Sequence, residues 1–193
     1  GTIILDGKEV ILPTFNFISG KKEFKKKFRL QPNGILIIEG LHSLNDELTS
    51  KIDASNKFKI YLSPLTCLNL DNHNRLNTTD NRLLRRMVRD NLTRGYTASQ
   101  TLESWSRVRS GETKYVFPYQ DSADVVLNTS LIYEISVLKV YAEPLLYSVS
   151  EDDINYDAAI RLINILRMIL PMPSSSIPLD SVLREFIGNS CFE

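Results

Sequence analysis

"ILIIEGLHSL", residues 35–44, decides how the chain is read. Four apolar residues run straight into Glu39 and Gly40, and the polarity changes there. So short an Ile-rich run, opened by Asn33-Gly34, reads as a strand over 35–38 buried on both faces. A carboxylate just past the carboxyl end of such a strand stands where open α/β sheets hold their ligands.

Two further runs have the same character. "KFKIYL" (57–62) is a second short parallel-type strand, closed by Ser63-Pro64, and "ADVVLN" (123–128) is a third. Helical patterns alternate with them. One helix is expected around 43–53. A longer one over about 80–95 is capped by Thr79 or Asp80, with Leu83, Leu84, Met87, Val88 and Leu92 as its buried stripe and Gly95 as its stop. Another runs over about 98–110, stopped by Gly111. "LIYEISVLKVYAEPLLYSV" is an amphipathic helix behind the third strand. "DAAIRLINILRMIL" is one more, cut short by "PMPSSSIP", and "SVLREFIGNS" is a short helix ended by Gly188. Upstream, "VILPTFNFIS" and "KKFRLQP" read as strands joined across Gly20-Lys21-Lys22. Residues 1 to 6 are either the arm of a hairpin turning on Asp6-Gly7 or the stub of a helix. Strands alternating with helices define an α/β chain with a parallel sheet, a β-hairpin and C-terminal helices.

Length and composition narrow the classes. The chain has 193 residues, enough for one sizeable domain, and 23 basic against 23 acidic side chains. No global field favours nucleic acid or an anionic membrane. Charge is nonetheless uneven, with "KKEFKKKFR" (21–29) and "NRLLRRMVRDNLTR" (81–94) basic and "SEDDINYD" acidic. The first basic run fits a solvated edge strand, where lysine blocks aggregation. Cys67 and Cys191 match no metal or redox spacing, and with two histidines a Cys/His metal cage is not expected. No signal peptide and no bilayer-length apolar run is present, so a cytoplasmic protein with reduced thiols is expected.

An acid at the end of a sheet strand can order Mg²⁺ and its waters beside a nucleotide, and it should then face a glycine-rich phosphate cradle. The sequence holds no GxxxxGK[ST] and no other glycine-rich strand-to-helix turn. Arginines are the other source of phosphate contacts. Arg82, Arg85, Arg86, Arg89 and Arg94 fall at helical spacings of three and four, which makes one stripe. Guanidiniums so arranged can neutralise phosphoryl oxygens; the plainer alternative is a solvated face partnered by Asp80, Asp90 and Glu103. "RGYTASQTLESWSRVRSGETKYVFPYQ" (94–120) fits a lid that excludes water from a nucleotide, or else an ordinary helical hairpin with Trp105 and Phe117 in the core. Phe15 and Phe17 share one face of a strand and Asn16 the other, an arrangement suited either to a nucleobase or to a core. "DNHN" (71–74) reads as a polar loop rather than a cation site.

These residues resemble the uridine kinase and phosphoribulokinase family, a branch of the P-loop kinases. "PTFNF", "ILIIEG", "TTDNRLLRRMVRDNLTRGY" and "ADVVLN" carry the resemblance, which covers roughly residues 8–146 in family order and spacing. It looks closest to long bacterial nucleoside kinases with a threonyl-tRNA synthetase-like TGS region at the amino end and a tail similar to "LREFIGNSCF". The resemblance implies an NMP kinase-like three-layer α/β fold lacking its first strand and P-loop. Residues 1–148 would be the C-terminal part of the kinase domain, with a lid at about 94–118, and 149–193 a helical extension. It further implies that Glu39 helps hold Mg²⁺ through water, that Arg86 and Arg89 meet substrate and phosphates, and that Arg94 faces the ATP phosphates. Phe15 and Asn16 would face the substrate. They stand where uridine kinases have Tyr and Asp, Gly20 where they have a base-reading His, and Tyr96 where an Arg follows the lid glycine. Those differences leave the acceptor open between nucleosides and a sugar phosphate held by Lys21–Lys27, and a non-catalytic nucleotide- or RNA-binding module is a third possibility. The expected partners are ATP with Mg²⁺, a nucleoside or similar small substrate, and a second copy of the chain, with neither membrane nor nucleic acid indicated.

Overall fold

The computed structural model describes residues 7–16 and 21–192, which sort into two units: residues up to 60 with 113–124, and residues 61–112 with 125–192. In the first unit β1 (Val10–Asn16) and β2 (Lys21–Phe28) form the expected antiparallel hairpin. Lys21 and Lys22 pair with Asn16 and Phe15 inside β2 instead of forming the turn, and the strand ends at Phe28, before most of the expected 26–32 segment. The register slips between Leu12 and Pro13, because proline has no N–H to give the ladder and a bulge absorbs the mismatch. On the solvated side Lys27 pairs with Glu9 at 2.9 Å, which raises the lysine's affinity for its proton. The connection 17–20 and both alternatives for residues 1–6 lie outside the described residues.

Two expectations in this unit are corrected. Residues 35–38 form no strand: Ile35 is 90% and Ile37 87% exposed, and no described backbone group bonds theirs. Without a neighbouring strand an apolar run gains neither ladder nor cover, whatever its β propensity. The helix expected at 43–53 is broken into 3-10 turns at Asp46–Thr49 and Ala54–Asn56. Asn45 Oδ1 takes the N–H of Glu47 and Asp53 Oδ1 that of Ser55, so side chains intercept amides that a continuous helix would use.

The second unit holds the core. β3 (Ile60–Ser63) and β4 (Val125–Asn128) lie side by side. Asp124 N donates to Lys59 O and Thr129 N to Ser63 O, so both strands advance together and the small sheet is parallel. Asn128 fastens its end, with Oδ1 accepting from Leu65 N at 2.9 Å and Nδ2 donating to Leu65 O at 3.0 Å. β4 was expected to be buried on both faces, yet all four of its residues are exposed, because no further strand flanks this pair among the described residues.

Helices supply the packing instead. α1 (Thr78–Arg94) is capped by Asn77, whose Oδ1 accepts from Thr79 N, two to three residues earlier than the expected Thr79 or Asp80. That leaves Asp80 free for a bidentate pair with Arg161 at 2.7 and 2.8 Å. Leu83, Leu84, Met87 and Val88 are buried as their spacing predicts, whereas Leu92 in the last turn is exposed. Gly95 ends the helix at φ +67°, a left-handed conformation that disfavours any Cβ. α2 (Ala98–Tyr115) passes through Gly111 rather than stopping there. Continuing the helix carries Glu112 into a buried position beside Arg82 and Arg109, which offsets the roughly 1 kcal/mol glycine disfavours in a helix.

α3 (Glu134–Tyr147), α4 (Tyr156–Arg167) and α5 (Arg184–Ile187) complete the unit. α4 packs on α3, α5 on α1, and Leu138, Leu146, Leu162, Leu166 and Leu183 fill the space between them. Lys139 Nζ donates to the carbonyls of Leu166 and Ile169, capping the end of α4 with charge. The segment after 149 is thus part of this unit's core.

Candidate functional site

The helix that carries the arginines is fixed by its buried face, and that fixes where its polar face points. Residues 86, 89, 90 and 94 follow one another at steps that return to the same side, so one aspartate sits among three guanidiniums. Asp90 is fully buried. Arg94 Nη1 donates to its Oδ1 at 2.9 Å, Arg86 Nε lies 3.1 Å from Oδ2, and Arg89 Nε 3.9 Å from Oδ1. The side chains of Arg86, Arg89 and Arg94 remain 23, 32 and 46% exposed, against 0% for Asp90. The carboxylate is therefore inside and the cations face outward. Three positive groups share one buried negative one, and the second anion nearby, Glu185, 3.2 Å from Arg89 Nη1, is mostly solvated. Such a cluster keeps positive charge for an anion from solution.

Arg85 behaves differently. It is buried, pairs with Glu134 and donates to Thr129 O at 2.8 Å; Glu134 also accepts from Asn81. Arg82 is taken by Glu112. The stripe thus divides by burial: Arg82 and Arg85 tie helices together, while Arg86, Arg89 and Arg94 surround Asp90. Of the carboxylates that the plainer alternative named, Asp90 is a partner of the helix's own arginines, whereas Asp80 pairs with Arg161 of α4.

Glu39 belongs to the first unit. It is exposed and precedes Gly40, whose carbonyl accepts from both Ser43 N at 3.1 Å and Ser43 Oγ at 2.8 Å. The ring of His42 meets that of Tyr115 edge-on with centroids 4.8 Å apart. One free carboxylate oxygen pair is the kind of hard ligand Mg²⁺ accepts through water, with phosphates completing its shell. No group of three metal-ligating side chains occurs among the described residues. Phe15 and Asn16 end β1, in register with Lys22 and Lys21. The "DNHN" loop is an internal turn: Asp71 accepts from Asn74 Nδ2 and from the His73 and Asn74 amides, all at 2.7 Å, and these bonds hold its carboxyl below the usual range.

An open depression of about 550 Å³ in the first unit is lined by Asp46, Lys57, Lys59, Ser122 and Asp124 among others. Both lysines are spent on Asp46, at 3.3 and 2.6 Å, so it offers an anion no unpaired cation. Sequence reasoning missed the partners that shape the arginine cluster from outside α1. Asp90 is legible from its spacing to Arg86 and Arg94, but Glu134, Glu185 and Phe186 arrive from distant segments without a local signal.

Residues 4–135 match the Phosphoribulokinase / Uridine kinase family. The match covers well over half of the 193 residues, and the chain belongs to that family. Among curated proteins it is similar to a uridine kinase of Macrococcus caseolyticus (strain JCSC5402), with 26% identity over 141 residues. That alignment takes in 70% of this chain and 60% of the relative, so the chain spans well under two thirds of the relative's length. No solved structure matches. None of the described helices is long and apolar enough to cross a membrane.

Proposed function

We propose that this chain is the carboxyl-terminal part of a cytoplasmic, uridine kinase-like enzyme that transfers the γ-phosphoryl group of MgATP to a nucleoside hydroxyl. The observation that carries the reading is the excess of outward-facing guanidinium over carboxylate at Arg86, Arg89, Arg94 and Asp90. In phosphoryl transfer the protein's task is chiefly to position the groups and to stabilise negative charge spread over the transferring oxygens. Arg86 and Arg89 would meet substrate and phosphates, Arg94 the ATP phosphates, and Glu39 would order Mg²⁺ through its waters. Phe15 and Asn16 would face the acceptor, and residues 94–118 would close over the nucleotide. Mg²⁺, when bound, neutralises charge between the β- and γ-phosphates.

The sequence contains no GxxxxGK[ST] phosphate cradle, and the family resemblance assigns the base for the attacking hydroxyl to none of these residues, so this polypeptide by itself should not turn over. The test is phosphoryl transfer from ATP to a panel of nucleosides and phosphosugars. The protein expressed from its whole gene should phosphorylate a nucleoside while the 193-residue chain is inactive. Transfer to phosphosugars alone, or turnover by the 193-residue chain, would contradict the reading.

A further inference from the structure

We infer that Phe186, in the C-terminal turn, is a positioning residue for Arg89 within the arginine cluster; this rests on the proposal above that Arg89 meets phosphate. The guanidinium carbon of Arg89 lies 5.9 Å from the centroid of the Phe186 ring, and that of Arg85 5.0 Å from it. Both fall within the range at which a ring face attracts a cation. Phe186 is almost fully buried, so the ring is itself held.

What holds it is Arg184, also buried, whose Nη2 donates to Ser174 O at 2.9 Å and to Ile177 O at 2.6 Å. The turn then closes on itself, Gly188 N donating to Arg184 O at 2.8 Å. A rigid loop thus sets an aromatic face against α1 between two arginines one turn apart. Arg85 is already fixed by Glu134 and Thr129 O. Arg89 is held more loosely: its Nε stands 3.9 Å from Asp90 Oδ1 and has no hydrogen-bond partner among the described residues, and its other ion pair is with the solvated Glu185. A long, partly exposed guanidinium with one long ion pair and one solvated one samples several rotamers. The Phe186 face is the contact that narrows them, and a pre-placed guanidinium loses less freedom when an anion arrives.

The inference is tested by calorimetric titration of the 193-residue chain with inorganic tripolyphosphate at low ionic strength, each variant's thermal midpoint being recorded alongside. Arg89→Gln should weaken binding about tenfold, the loss of one charge-assisted contact. Phe186→Leu or Phe186→Met, which keep the apolar bulk, should weaken it about three- to fivefold, and Phe186→Tyr should restore it. Ile187→Val, a buried aliphatic neighbour in the same turn with no ring face to offer a guanidinium, should lower the thermal midpoint without changing affinity. If Arg89→Gln weakens binding and neither Phe186→Leu nor Phe186→Met does, the positioning role is wrong while the phosphate reading stands. If the unsubstituted chain does not bind tripolyphosphate, or Arg89→Gln binds as well, the phosphate reading fails and this inference with it.

Discussion

At Asp90 a charge without exposed surface is held by cations that are all partly in water. Burial makes the aspartate, rather than any one arginine, the residue on which the cluster depends. Removing the buried partner of an ion pair costs more than removing the solvated one, because exposed pairs contribute little. Asp90→Asn should therefore lower unfolding free energy by about 3 kcal/mol, towards the low end for buried pairs because the arginines can rehydrate. Arg94→Ala should cost under about 1 kcal/mol. Urea denaturation of the two variants measures this, and equal losses would mean that Asp90 is not the keystone. The proposed function draws on the same asymmetry: the arginines' own stability does not require them to stay fully paired.

At the scale of elements, what was legible depended on whether an element's partners are local. α1 and its stripe, the stop at Gly95, the hairpin β1–β2 and the helices behind β4 could be read because 3.6- and 2-residue periodicities and turn residues are properties of the segment itself. "ILII" failed as a strand for the opposite reason: an apolar run is a strand only when neighbours supply hydrogen bonds on its edges, and no described residue does so. Gly111 misled because the stop signal was outweighed by ion pairs to Glu112 that no local pattern announces. Of the candidate site, the arginine stripe was visible, and its division into structural and outward-facing members was not. Packing predicts the consequence for mutation. Leu162→Ala, in the buried face of α4, should cost about 3 kcal/mol by opening a cavity, whereas Ile37→Ala should stay within about 0.5 kcal/mol. Denaturant midpoints decide it, and a large loss for Ile37→Ala would show that residues 35–38 are packed after all.

The short turns of the first unit respond to pH. Asp46 is held below its ordinary value of 3.8, chiefly by the hydrogen bond from Lys59 and then by that from Lys57. A carboxyl depressed in the folded state stabilises it above the unfolded value, and that contribution disappears as pH falls through the folded one. Asp53, lowered chiefly by Ser55, and Asp71 in the second unit, lowered chiefly by Asn74, act in the same direction. An NMR titration of the Asp46 carboxyl should give a midpoint below 3.8, and Lys59→Met should bring it back up; a midpoint at or above 3.8 would refute the contact.

For the whole molecule, apolar exposure is the dominant feature. Ile35, Ile37, Phe58, Leu62, Val126 and Leu127 all present most or about half of their surface to solvent. Each buried Å² of such surface is worth about 25 cal/mol, and apolar area left open on each unit of a chain of balanced charge favours association. The 193-residue chain should scatter light as a species larger than one chain and bind anilinonaphthalene sulfonate; a monomer that does neither would count against the exposed arrangement.

The proposed function gives Glu39 and Arg89 each a part in handling MgATP. The most direct test is kcat/KM for ATP in the protein expressed from its whole gene, measured for the unsubstituted enzyme, Glu39→Gln, Arg89→Gln and the double variant. Each single change should cost about a hundredfold, and the double should cost less than the product of the two, because groups that serve one transition state are not additive. Unchanged kcat/KM in either single variant would contradict the account.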